Sequence, residues 1–169
     1  MAAFTLAEYV MAMAIGMIAL AAACVLWGYA SKTCAALLNY VELSSASKNA
    51  MDRMSREIRN ATAVKSCSVN QLILLDPDGT NVTYAYHGVT KTLTVTKYSQ
   101  TTTLLNGCTA FEFKIYQRTP ISGSYVLTET TDTNTAKVVS MRWTCARNLT
   151  GDRQNVENAV SSKVVIRSK

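Results

Sequence analysis

The feature that most constrains this chain is an apolar run from Phe4 to Ala30, FTLAEYVMAMAIGMIALAAACVLWGYA, interrupted by a single carboxylate, Glu8. About 20 apolar residues in a helix span the hydrocarbon of a bilayer, so the run is long enough to cross a membrane once. It is also longer than the apolar region of a secretory signal peptide, which covers about 7–15 residues before a small-residue cut. A charged side chain inside such a run costs about 2.5–3.5 kcal/mol at the helix centre and less near an end. Glu8 therefore needs a role, and a plain signal anchor gives it none. Phe4 lies four residues earlier on the same helical face, so a free amine at Phe4 comes within one turn of the carboxylate.

From Ser31 the chain continues without Pro or Gly to about Val64. Leu37 and Val41, then Ala46, Ala50, Met54, Ile58 and Ala61, form an apolar stripe, and Lys48, Asp52, Arg53, Arg56, Glu57 and Arg59 fall between them. That pattern predicts an amphipathic helix. Joined to the apolar run it makes one helix from Phe4 to about Val64, roughly 90 Å long. Its first half (4–30) suits membrane or filament core, and its second half (31–64) suits packing on a head domain.

Beyond Lys65 the texture turns to Thr, Val, Tyr and turn residues, which is strand composition. Gln71–Leu75 and Val82–His87 flank Asp76-Pro77-Asp78-Gly79, a hairpin turn in which Pro presets φ and Gly accepts positive φ. Further strands are expected at Thr92–Tyr98, Ala110–Gln117, Ser124–Glu129, Lys137–Cys145 and Lys163–Arg167. Alternation in Phe111, Phe113, Ile115 and in Val139, Met141, Trp143 puts the large residues of each strand on one face. Residues 65–169 thus form a β-rich head of about 100 residues, a usual size for one domain, whose antiparallel sheet receives the helix stripe. The fold class is α+β.

Phe4-Thr5-Leu6-Ala7-Glu8 followed by the apolar run resembles the processed N-terminus of the type IV pilin-like superfamily, which includes type IV pilins and type II secretion pseudopilins. The resemblance implies cleavage between Ala3 and Phe4 by a prepilin peptidase, N-methylation of Phe4, and a role for Glu8 in drawing the subunit into a filament. Family leaders usually end in Gly and carry basic residues. Here Met1-Ala2-Ala3 stands as a leader remnant with Ala at the cut, and an in-frame basic stretch upstream of Met1 is expected. The order of the helix, the LILL and VTYAY strands, Phe111-Glu112-Phe113, Val138–Trp143 and a closing Val-Val-Ile-Arg most resembles the J-type minor pseudopilins and related minor pilins. The implied partners are other pilins or pseudopilins through the N-terminal helix, the peptidase and a bacterial inner membrane crossed once, with the head on the periplasmic side.

Cys24 lies in the apolar run and Cys34 on the helix beyond it, leaving Cys67, Cys108 and Cys145 in the head. Three thiols allow one internal bridge, and Cys67 with Cys108 is expected, tying the helix-to-sheet junction to the Phe111 strand. The absence of a CxxC pair or a His partner speaks against a zinc site. Nor is there a catalytic constellation. The single histidine, His87, ends a Tyr-rich strand, Ser122-Gly123-Ser124 lacks the G-x-S-x-G pattern, and Asp76 and Asp78 lack the spacing of a calcium loop. No enzyme, cofactor or metal is expected.

The chain carries +6, and from Lys137 to Lys169 seven basic residues face two acidic ones. A polyanion-binding patch needs clustering. Arg142, Arg147, Arg153, Lys163 and Arg167 are instead spread singly, which fits a solvated face better than nucleic-acid binding. The leading expectation is a minor pseudopilin or minor pilin acting by assembly at a filament tip or in its initiation. The alternatives are a DNA-receptor minor pilin and an unrelated signal-anchored periplasmic binding protein.

Overall fold

The computed structural model describes residues 5–121, 124–148 and 154–167. One long helix, α1 (Leu6–Asn60), precedes nine strands, β1 (Ala63–Ser68), β2 (Gln71–Leu75), β3 (Asn81–His87), β4 (Thr92–Lys97), β5 (Gln100–Asn106), β6 (Cys108–Ile121), β7 (Ser124–Thr130), β8 (Val138–Asn148) and β9 (Gln154–Val165). The architecture is α+β, with α1 packed on antiparallel sheets. The strands form two sheets where one was expected, in the orders β1-β2-β3-β4-β5 and β7-β6-β8-β9. The chain divides into two compact units, residues 1–39 and Tyr40–Lys169.

In the first unit α1 is exposed almost throughout, with Ile18 71 % and Trp27 78 % accessible. It is long and apolar enough to cross a membrane once. In the second unit α1 buries Leu43, Ser47, Ala50, Met54 and Ile58. Ala50, Met54, Ile58 and Ala61 are buried as the expected stripe has them, and the departure is confined to its first half. Leu37 and Val41 are exposed and Ala46 is only partly buried, whereas Leu43 and the polar Ser47 take core positions. The helix stops at Asn60, earlier than Val64. Ala61 N–H still donates to Glu57 O at 3.0 Å, but Thr62 N–H already donates to Leu75 O at 2.7 Å. The backbone is thereby handed from helix to sheet, and Ala63 and Val64 pair with Leu75 and Leu74.

The five-stranded sheet turns Val64, Leu72, Leu74, Val82, Tyr84, Leu93, Val95 and Leu105 inward. The Asp76–Gly79 turn forms as expected. Gly79 N–H donates to Asp76 O at 3.0 Å, Asp76 N–H to Thr80 O at 2.9 Å, and Gly79 takes φ +81°, the left-handed value that closes a three-residue hairpin. The next hairpin is unusual in its residues. Lys97 pairs with Gln100, leaving Tyr98 (φ 51°) and Ser99 (φ 62°) as a two-residue turn with both φ positive, a conformation normally given to Asn-Gly. Tyr98 hydroxyl donates to the Asp78 carboxylate and Lys97 ammonium pairs with Asp76, so the two hairpin ends brace each other.

In the four-stranded sheet Phe111, Phe113 and Ile115 face Trp143, Met141 and Val139 directly across β6 and β8, and all six are buried. This is the expected alternation. β9 is much longer than the short strand read at its end. The sheets meet where Phe111 stacks between Tyr86 of the first sheet (5.5 Å) and Trp143 (5.7 Å), and where Phe113 N–H donates to Val69 O at 3.0 Å. Two side-chain bonds, one buried and one part-buried, tie α1 to the two sheets. Trp143 Nε1–H donates to Ser47 Oγ at 2.9 Å, and the Tyr84 hydroxyl donates to Glu57, which also accepts from Arg53 Nε at 3.0 Å.

Candidate functional site

The N-terminal segment begins with a reciprocal cap. Thr5 precedes the first helical residue, Leu6, and Glu8 stands three residues on, which is the T-x-x-E arrangement that satisfies orphan donors at a helix start. Glu8 Oε2 accepts the Thr5 N–H at 2.9 Å and the Thr5 hydroxyl at 3.0 Å, and Thr5 Oγ1 lies 3.4 Å from the Glu8 N–H. The carboxylate also sits at the positive end of the helix dipole. Glu8 therefore has partners within its own subunit, a role that attention to Phe4 alone missed although Thr5-Leu6-Ala7-Glu8 carries the signature. Ala3 and Phe4, the expected cleavage and methylation positions, lie outside the described residues. Beyond the cap, α1 presents Met11, Ile15, Ile18, Leu26 and Trp27 as exposed apolar side chains with no other charge until Lys32.

The head cysteines are arranged differently from the expected pairing. Cys108 is set opposite Cys145 across β6 and β8, with the sulfurs 2.7 Å apart and both residues fully buried. Cys67 lies in the other sheet, on β1, half-buried, and burial pushes its thiol up to about 11. The Cys67–Cys108 pairing is corrected accordingly. Spacing along the chain could not show that the register of two strands brings Cys145 to Cys108. All five cysteines are thiols in this structure.

The remaining candidates are engaged locally. Asp76 pairs with Lys97. Asp78 accepts from the Thr80 hydroxyl at 2.6 Å, from the Tyr98 hydroxyl, and from Thr80 N–H at 2.9 Å. These bonds, Thr80's first, hold the Asp78 carboxyl down at about 2. His87 is exposed, with Nε2 3.3 Å from the Thr94 hydroxyl. Among the basic residues of the last third, Arg147 bonds Glu42 at 2.6 Å, Lys163 lies over the Tyr116 ring at 5.4 Å, and Arg142 faces Glu112 across β6 and β8; Arg153 lies outside the described residues. Among the described residues no group of three or more His, Cys, Asp or Glu side chains is placed to hold a metal ion. The chain matches no protein-family model, no curated protein and no solved structure.

Proposed function

We propose that this chain is a minor pseudopilin or minor pilin, of the J type within that superfamily, acting by assembly rather than catalysis. The observation that carries the reading is the first unit of α1, an exposed apolar helix opened by Glu8 in a T-x-x-E cap. Apolar surface of that extent requires lipid or other helices around it. A carboxylate at its front has a use if it meets an amine when subunits gather. In this reading a peptidase cuts before Phe4, the new amine is methylated, and the helix leaves the bilayer sideways into a bundle of like helices. The head primes or caps a filament that drives secretion or extends from the surface. The Thr5 cap suits the free subunit, because it compensates the Glu8 carboxylate there.

The test combines processing and assembly in the native membrane. The mature chain is expected to begin at Phe4 by intact mass and N-terminal peptide analysis. Glu8→Ala is expected to leave membrane insertion and cleavage intact while lowering co-purification with partner pilins about tenfold or more, since unpairing a buried charge costs several kcal/mol. Asp52→Ala, at an exposed helix position in the head, is the control. Glu42 is unsuitable because it holds Arg147. A native chain that retains Ala3, or equal incorporation of the two variants, refutes the assignment and returns the helix to the role of a signal anchor.

A further inference from the structure

We infer that Cys108 and Cys145 are a redox pair that closes to a cross-strand disulfide as the head folds, with Cys67 remaining a thiol. The register carries this. Cys108 and Cys145 are direct partners across β6 and β8, and Ala146 N–H donates to Gly107 O at 2.8 Å, the bond that flanks a non-hydrogen-bonded pair. In such a pair the Cα atoms approach to about 4.5 Å and the side chains converge on one face, which lies within the Cα range of about 4.4–6.8 Å that a disulfide requires. The sulfurs already stand 2.7 Å apart. Closing them to a bond of about 2.05 Å asks for a small side-chain rotation and no movement of the strands.

The surroundings determine when the bond forms. Both cysteines are fully buried, and Tyr86, from the other sheet, reaches over to donate its hydroxyl to Cys108 O at 2.8 Å. The contact with Cys145, together with burial, pushes the Cys108 thiol well above the ordinary thiol range, so the folded pair offers little thiolate and no access. Oxidation belongs to the stage before the sheets close on each other. In that stage one thiol loses its proton and attacks the disulfide of an oxidant, glutathione disulfide or a dithiol oxidase, forming a mixed disulfide and releasing one oxidant thiol. The second thiol loses its proton and displaces the other oxidant thiolate, which takes up a proton. The two cysteines are oxidised by two electrons and the oxidant disulfide is reduced to two thiols. Burial then protects the finished bond from reductants. In the cell this rests on the extracytoplasmic head that the pilin-like reading implies, whereas the pairing itself does not.

The experiment uses the full chain in detergent, reduced and unfolded, then diluted into glutathione redox buffer, quenched with acid, alkylated and mapped by peptide mass. The expected product has Cys108 joined to Cys145 and carries alkyl groups on Cys24, Cys34 and Cys67. Cys67→Ser should give the same bridge at the same rate. Reduced chain that is allowed to fold before it meets the oxidant should bridge about tenfold more slowly or worse. A bridge to Cys67, or five alkylated thiols after refolding in oxidising buffer, overturns the proposal. A chain that bridges in vitro but is fully reduced when isolated from its own cells supports the pairing and counts against the extracytoplasmic head.

Discussion

Removing one hydroxyl from α1, with Ser47→Ala, is expected to destabilise the head by an amount that the structure fixes in advance. Ser47 is 3 % and Trp143 1 % accessible, and the indole N–H has its acceptor in Ser47 Oγ at 2.9 Å. Indole nitrogen is a donor only, so without that oxygen a buried N–H is orphaned at a cost of about 1–3 kcal/mol. Alanine is the better helix former and returns a few tenths of a kcal/mol, leaving a net loss of about 2 kcal/mol. A unit of about 130 residues has an unfolding entropy near 0.27 kcal/mol per kelvin, so its midpoint should fall by roughly 7 °C. The assay is thermal unfolding of the full chain in detergent, followed by near-ultraviolet circular dichroism, repeated in a Trp143→Phe background. There the donor is already gone, and Ser47→Ala should change the midpoint by no more than about 2 °C, a coupling of roughly 1–2 kcal/mol between the sites. Equal effects in the two backgrounds, or a single variant within about 1 °C of the parent, would refute the account of how α1 is held to the second sheet.

Gly107→Ala should cost about 2–4 kcal/mol, because φ of +75° is strained for a side chain and the added Cβ would lie 2.8 Å from Ala146 O on the facing strand. Gly88→Ala, whose Cβ meets nothing closer than 3.9 Å, is the comparison, and urea midpoints separate the two. Asp78 contributes to acid stability in a defined direction. Its pKa is lowered from 3.8 to about 2, so its contribution is complete above its unfolded value and is lost as pH falls through the interval between the two. Asp78→Asn should flatten that part of the stability profile and leave the profile above pH 5 parallel to the parent, as urea midpoints from about pH 2 to 6 will show.

How much of this fold was legible in the sequence depended on whether a local signal marked each element. The Asp76–Gly79 turn announced its hairpin because Pro and Gly are suited to those dihedrals, and the Phe111 and Trp143 strands showed a clean period of two. β5 gave no such notice. Its turn is Tyr98-Ser99, held at positive φ while Tyr98 bonds to Asp78 of another hairpin, a support that no local pattern encodes. β1 was absorbed into the helix because Ala61-Thr62-Ala63-Val64 contains no breaker, and what ends α1 is competition from Leu75 for the backbone donor of Thr62. The helix stripe holds from Ala50 to Ala61 and departs from the pattern only before it. Leu37 and Val41 are apolar but lie outside or at the edge of the head, while Ser47 earns its core place by accepting from Trp143. At the N-terminus the T-x-x-E signature of the cap stands in the sequence, although Glu8 is paired there with Phe4 and not with Thr5. The cysteine pairing could not be read directly, since it follows from strand register between residues far apart in sequence.

The last strand finishes what the helix begins. Val164 and Ile166 are 1 % and 2 % accessible and belong to the same core as Met54 and Ile58, and Arg167 N–H donates to Arg59 O at 3.3 Å. Roughly 100 residues of chain separate these partners, which at ribosomal speeds of about 5–20 residues per second is a delay of about 5–20 seconds between the emergence of one and the other. Throughout that interval the apolar face of the helix in the head has no complete cover. The nascent head is thus committed to waiting for Val164 and Ile166, and a chain cut short before them is left holding an open core.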